Sequence, residues 1–247
     1  MAQVNGQTNV TAPNITLYTN HGCPWAHRAH ITLKELGLPY EEVLIDLDKP
    51  REEWYLQVNP RGLVPSIKYD NGLISEILTE SAVVSQFLAD SFPSHLLPAS
   101  HSTPTAALTR AKIAFFVDTF FTKVNGKIFE GLRAEGKDTS IKSAEVFQAI
   151  KKEIEPLLEN ANPYFDGAEK MTIAEALTAP FILRLHAYSA AELLAPSLND
   201  DLKSLPSYTK WADNMLKQES VLYIWDEENV MKRTRARIEK MKQVTKI

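Results

Sequence analysis

The sequence predicts a small α/β domain followed by an all-helical one, and three observations carry that expectation. From Ile15 to about Ser91 the apolar residues switch between strand and helix periods. After Thr105 the strand patterns stop and only the helical period remains. Between the two lies SFPSHLLPASHSTPT, rich in Pro, Ser and His and without periodicity, which reads as a linker.

The elements follow in order. Ile15–Tyr18 is a short apolar strand, and Pro24–Leu36 has helical spacing that ends at Gly37. Tyr40–Leu47 is a second strand. Leu63–Tyr69 and Leu73–Ser75 flank Asp70-Asn71-Gly72, and Asn-Gly suits the positive φ angles of a tight hairpin turn. Glu80–Ala89 is helical, with Ala82, Val83, Phe87 and Leu88 expected on one side. A β-α-β unit followed by β-β-α calls for a small mixed sheet covered by helices, a thioredoxin-like layout. Beyond the linker, Ala106–Phe129, Ser143–Asn160, Thr172–Leu194, Tyr208–Gln218 and Met231–Val244 fit helices. Thr172-Ile173-Ala174-Glu175 is a capping box before an apolar run. The expected boundaries are 1–14 for a flexible N-terminus, 15–92 for the α/β domain, 93–105 for the linker and 106–247 for the helical domain.

Composition narrows the class. The chain has 247 residues, and at about 150 residues per domain that allows one large or two modest domains. Apolar residues make up 44% and charged residues 23%, which supports a sizeable core and excludes disordered or collagen-like chains. A net charge of −4 argues against a dedicated nucleic-acid binder. The single cysteine excludes an intrachain disulfide framework or a Cys-rich metal cluster. The polar start MAQVNGQTNVTAPN fits neither a secretory signal nor a transit peptide. Charges at Arg110, Lys112, Asp118 and Lys123 break the most apolar stretch, so no membrane span is expected and a cytoplasmic location is.

The segment richest in chemistry is Asn20-His21-Gly22-Cys23-Pro24-Trp25-Ala26-His27-Arg28, between the first strand and the first helix. Proline is at ease in a first helical turn, which puts Cys23 at or beside the N-cap. There the unpaired N–H groups and the positive end of the helix dipole favour a thiolate, the nucleophilic form of cysteine. The motif is Cys-x-x-His, so a mixed disulfide at Cys23 has no second cysteine to resolve it and needs an external thiol. Glutathione is the abundant candidate. Cys23 and His27 stand at i, i+4, but no third or fourth ligand suggests itself, so packing or surface roles are expected for His27 and His30 and no metal is expected.

With Cys23-Pro24-Trp25-Ala26-His27-Arg28, Asn59-Pro60-Arg61-Gly62-Leu63-Val64-Pro65 and Glu80-Ser81 in this order, the chain resembles the cytosolic glutathione transferases of the cysteine-type, omega-like branch, fungal members above all. Trp25 within its motif also resembles the xi-class glutathionyl-hydroquinone reductases, which are longer. The likeness runs from Ile15 to about Glu228. It implies the glutathione transferase fold: a thioredoxin-like glutathione-binding domain, then a helical domain that receives the second substrate.

The resemblance also implies roles. Cys23 would be catalytic, with Pro24 and Trp25 beside it in the glutathione site. Pro65 would be cis, turning the Val64 backbone toward the cysteinyl part of glutathione. Glu80 and Ser81 would receive the γ-glutamyl end, a carboxylate for the ammonium and a hydroxyl and N–H at a helix start for the carboxylate. Arg51 stands where omega-like enzymes often carry a lysine for the glycyl carboxylate. Phe116, Phe120, Arg184 and Trp225 are candidates for the second-substrate pocket, with core roles open for each. A homodimer is implied too.

Residues 231–247 carry seven basic residues and one acid, a net of +6 against −10 for the rest. Interleaved Met, Ile and Val favour a solvated helix face on an acidic body over a nucleic-acid or membrane surface. The leading functional expectation is a glutathione-dependent thiol transferase working through a Cys23–glutathione mixed disulfide on oxidised or glutathionylated substrates. Conjugation of glutathione to an electrophile, and non-catalytic ligand binding, are the alternatives.

Overall fold

The computed structural model describes residues 13–245, with the side chains of 242–245 left aside; most of the expected N-terminal segment 1–14 and the last two residues of the basic tail lie outside the described residues. Strands β1 (Asn14–Thr19), β2 (Glu41–Leu44), β3 (Ser66–Asp70) and β4 (Ser75–Thr79) form one sheet in the order β2-β1-β3-β4. β1 pairs parallel to β2, antiparallel pairs join β1 to β3 and β3 to β4. Helices α1 (Pro24–Glu35), α2 (Glu53–Val58) and α3 (Ser81–Ser91) complete a thioredoxin-like unit. Its core packs Leu17 and Ile67 of the sheet against Leu33 of α1 and Val84 and Leu88 of α3.

Several boundaries move for physical reasons. β2 stops at Leu44, because the next residues turn into a loop that Arg51 holds by its guanidinium. The hairpin turn is Asn71–Ile74, where the Asn71 side chain accepts from the N–H groups of Leu73 and Ile74 and Gly72 takes φ +82°. The second hairpin strand therefore runs on to Thr79, and α3 starts one residue later than expected. The buried face of α3 is Ser81, Val84, Ser85 and Leu88, while Val83 points outward. α2 was not expected, since six residues are too few to show a helical period.

Residues 92–105 contain no helix or strand. Helices follow: α4 (Ala106–Thr119), α5 (Gly126–Arg133), α6 (Lys137–Ala149), α7 (Ile173–Ala190), α8 (Ser197–Lys203), α9 (Pro206–Met215), α10 (Glu219–Leu222) and α11 (Glu227–Thr245). The stretch expected as one helix over 106–129 changes to wide π turns at Phe120–Asn125, and the stretch over 143–160 does the same at Ile150–Ile154. The two π segments pack against each other, and the first meets α7 where Phe120 and Phe121 pack on Phe181; α7 is the buried central helix, whose first 17 residues are nearly all inaccessible.

The capping box is present at the head of α7. Ala174 N–H donates to the Thr172 hydroxyl at 3.1 Å, and Thr172 N–H donates back to Glu175 at 2.7 Å. Glu175 also accepts from the Thr172 hydroxyl, from Phe165 N–H at 2.8 Å and from the Trp211 indole N–H at 2.7 Å. One carboxylate thus ties α7 to α9 and to the loop before it.

Candidate active site

The site forms at one end of the sheet, where the loop after β1 and the helices α1 and α3 meet α7. Cys23 is the N-cap of α1, with extended backbone (φ −87°, ψ 120°), and Pro24 opens the helix. Its N–H donates to Asn20 C=O at 2.9 Å and its own carbonyl accepts from His27 N–H at 3.1 Å. The thiol is free and half-buried, packed against Ala26, Ile45, Tyr55 and Val64.

Opposite it, the Val64–Pro65 peptide is cis. The loop before it is held by Asn59, whose amide donates to Leu63 C=O (2.9 Å) and the Ser66 hydroxyl (3.1 Å), and by the Tyr55 hydroxyl on Leu63 C=O (2.6 Å). Gly62 is required here: its φ is +64°, and a Cβ would lie 2.9 Å from Arg51 Cγ. Arg51 fills that space and spends its donors on carbonyls, of Gly62 and Asp46 at 2.8 Å, Lys49 at 2.5 Å and Leu47 at 3.4 Å.

Glu80 has φ +70°, a left-handed conformation that costs a non-glycine residue about 1–3 kcal/mol and is typical of functional sites. Its carboxylate pairs with Arg61, and the strained backbone places Ser81 at the first position of α3. The Ser81 hydroxyl accepts from Arg28 Nη1 at 3.0 Å.

Two buried arginines lock the sheet domain to α7. Arg28, on α1, also donates through Nε to Leu177 C=O at 2.8 Å and lies 4.1–5.1 Å from the ring centres of Phe121, Trp25 and Phe181. Arg184, on α7, reaches back: Nη1 donates to Pro180 C=O (2.9 Å) and His27 Nδ1 (3.2 Å), Nη2 to Gly22 C=O (3.4 Å). A guanidinium cannot accept, so His27 Nδ1 is the acceptor, and Nε2–H donates to Val221 C=O at 2.9 Å. Burial, aided by Arg184, holds His27 well below the usual histidine range, so it stays neutral.

No carboxylate among the described residues pairs with either arginine, and Arg28 Nη2 and Arg184 Nε have no partner there. Burial pushes Arg28 down to about 9 and Arg184 to about 10; negative charge at Cys23 would oppose both shifts, behind Tyr188 in the case of Arg184. The two cations therefore gain from an anion at Cys23 or on a ligand beside it.

The remaining sequence candidates divide. Trp25 is 37% exposed and packs against Phe121 and Phe181 where the first helix meets the helical domain. Arg184 lies over the Trp225 ring at 5.0 Å. Phe116 and Phe120 are fully buried, Phe116 between Phe165 and Trp211, and so belong to the core. Sequence reasoning missed the packing of Trp25 on Phe121 and Phe181 and Arg28 as a link to Ser81. The available signal was a basic residue, Arg28, closing the Cys23-Pro24-Trp25-Ala26-His27-Arg28 motif inside the expected helix. His30 bonds Thr19 and Tyr40 at 2.8 Å through its two ring nitrogens. It stands near His21, which pairs with Glu42.

Residues 22–91 match the family model described as glutathione S-transferase, N-terminal domain. With the fold and the helical half, that match supports a glutathione transferase. Mouse glutathione S-transferase omega-1 is 28% identical over 73% of this chain and 71% of its own. Pyrimidodiazepine synthase of Drosophila melanogaster is 27% identical over 87% and 82%. Among solved structures, glutathione transferase Omega 2C from Trametes versicolor superposes with a TM-score of 0.77, at 29% identity over 92% of this chain and 99% of that one. Within the class, these likenesses support an omega-like glutathione transferase enzyme.

Proposed function

We propose that the protein is a glutathione-dependent thiol transferase with Cys23 as nucleophile. The observation that carries this reading is a free, half-buried thiol at the N-cap of α1, beside two buried guanidiniums that pair with no carboxylate among the described residues. A serine or tyrosine hydroxyl suited to activating bound glutathione does not occupy position 23. The Val64 backbone, Pro24 and Trp25 receive the cysteinyl part of glutathione, Ser81 and Glu80 its γ-glutamyl end. Residues 15–92 form the glutathione domain, 93–105 the linker and 106–247 the domain of the second substrate.

The Cys23 thiolate attacks the glutathione sulfur of a mixed disulfide. The old S–S bond breaks, the substrate leaves as a thiolate and takes a proton from water, and Cys23 is left bonded to glutathione. A second glutathione thiolate attacks that bond, releasing oxidised glutathione and restoring Cys23. The electrons come from glutathione and the oxidant is the substrate disulfide, so the residues need no further redox partner.

The second substrate lies against the packed rings of Trp25 and Phe121 and the Trp225 ring under Arg184, aromatic surface suited to a small apolar or glutathionylated molecule. A homodimer through the hairpin edge and neighbouring helices is part of the reading, supported by exposed Leu73, Ile74, Ile77, Val83, Leu108 and Phe115. No helix among the described residues is long and apolar enough to cross a membrane. The lone free thiol suits a reducing, cytoplasmic setting.

The test is glutathione-dependent reduction of a small mixed disulfide by wild type and Cys23→Ser. Loss of turnover in Cys23→Ser, with glutathione still bound, is expected. Full turnover in Cys23→Ser overturns the mechanism. Turnover of an aryl electrophile retained in Cys23→Ala would point to conjugation.

A further inference from the structure

The strand order fixes how an extended ligand lies across the site. β1 and β2 end, β4 ends and β3 begins on the same side of the sheet. Across the sheet from β4 to β2, those ends carry Glu80–Ser81, then Val64–Pro65, then Gly22–Cys23, then the loop 45–52. A tripeptide with its amino-acid end at Ser81 and its sulfur at Cys23 therefore extends its second carboxylate toward the loop after β2.

Arg51, the expected cation of that loop, is already committed to four backbone carbonyls. Another cation stands over the same loop. Arg233, on the terminal helix α11, donates from Nη2 to Asp48 Oδ2 at 2.8 Å and from Nη1 to Asn20 Oδ1 at 3.3 Å. Its Nη1 lies 3.4 Å from where a Cβ would sit on Gly22, the residue before Cys23, so the guanidinium stands against the backbone just before the thiol. Asn20 Oδ1 keeps the Gly22 N–H at 3.1 Å whether or not Arg233 stays.

We infer that Arg233 binds the glycyl carboxylate of glutathione, exchanging Asp48 for the ligand, so that the terminal helix forms one wall of the glutathione site. This rests on the reading of the protein as glutathione-dependent. The exchange is easy because the Asp48 side chain is 76% exposed, and pairs in such settings contribute little. Lys49, the other cation of the loop, is 78% exposed and pairs with Asp46 in solvent, away from the Gly22 contact. The inference gives a use to one residue of the basic tail, which the sequence alone left as a solvated face.

Titration calorimetry with reduced glutathione and with its glycyl monoethyl ester tests it on the full chain. Wild type should prefer glutathione over the ester, and Arg233→Gln should bind glutathione about tenfold more weakly, a charge-assisted hydrogen bond lost, with ester affinity unchanged. Arg233→Lys should recover part of the loss. Asp48→Asn separates ligand binding from loop support: with its competitor removed, Arg233 should bind glutathione at least as tightly as in wild type. Equal losses for both ligands in Arg233→Gln, weaker binding in Asp48→Asn, or no preference against the ester in wild type would overturn the inference while leaving the thiol-transferase reading standing. Wild type binding neither ligand would overturn both.

Discussion

Replacing Glu175 by glutamine alters one atom and should cost the protein much of its stability. The carboxylate is fully buried and accepts four hydrogen bonds, from Thr172 N–H, the Thr172 hydroxyl, Phe165 N–H and the Trp211 indole. An amide offers one oxygen and one NH2 group. With NH2 toward Thr172, the hydroxyl can turn to accept but the Thr172 N–H faces a donor; with NH2 toward Phe165 and Trp211, two donors face it. At least one buried N–H is thus orphaned, at about 1–3 kcal/mol, and the remaining bonds lose their charge assistance. A total near 3 kcal/mol is expected, a fall of about 6–12 °C in Tm for a chain of this size. Urea and thermal melts of Glu175→Gln measure it, with Thr172→Val as a partial loss of the same network. A Glu175→Gln variant within 1 kcal/mol of wild type would refute the view that this carboxylate ties α7 to α9.

Three further outcomes follow from the geometry. Burial pushes His30 down to about 3 and holds His27 low, so both stay neutral in the fold while the unfolded chain takes up protons near pH 6.5. Stability is therefore full above pH 6.5 and lost as pH falls; His30 alone costs about 2 kcal/mol at pH 5, and His30→Asn should flatten the melting curve against pH. Gly62→Ala must hold φ +64° with a side chain and push Arg51 aside, at about 1–2 kcal/mol, and should raise the KM for glutathione more than it lowers kcat. Ile77→Lys on the edge strand β4 should shift a dimer toward monomer in light scattering without changing the near-ultraviolet spectrum; an unchanged mass would remove that edge from the proposed interface.

What the sequence made legible was local. The Cys-Pro step marked a helix start, Asn71-Gly72 marked the turn and Thr172-x-x-Glu175 marked the head of α7, because each is a short-range hydrogen-bond or dihedral requirement. The Cys23, Val64–Pro65 and Glu80-Ser81 blocks were also readable, and the sheet brings all three to one end. What escaped depends on partners far apart in the chain. Arg28 meets Leu177, Arg184 meets His27 and Gly22, and Arg233 meets Asn20 and Asp48, contacts that no periodicity encodes. The phenylalanines show the same limit: spacing could not tell buried Phe116 and Phe120 from half-buried Phe121, which packs against Trp25 at the start of the π turns.

In the thiol-transferase reading, Cys23 becomes covalently joined to glutathione during turnover. Intact-mass spectrometry after brief exposure to oxidised glutathione, and again after reduced glutathione is added, tests it most directly. A gain of one glutathionyl group, absent in Cys23→Ser and reversed by the thiol, is expected. A wild-type protein that binds glutathione yet never gains that mass would contradict it and leave Cys23 as a wall of the site.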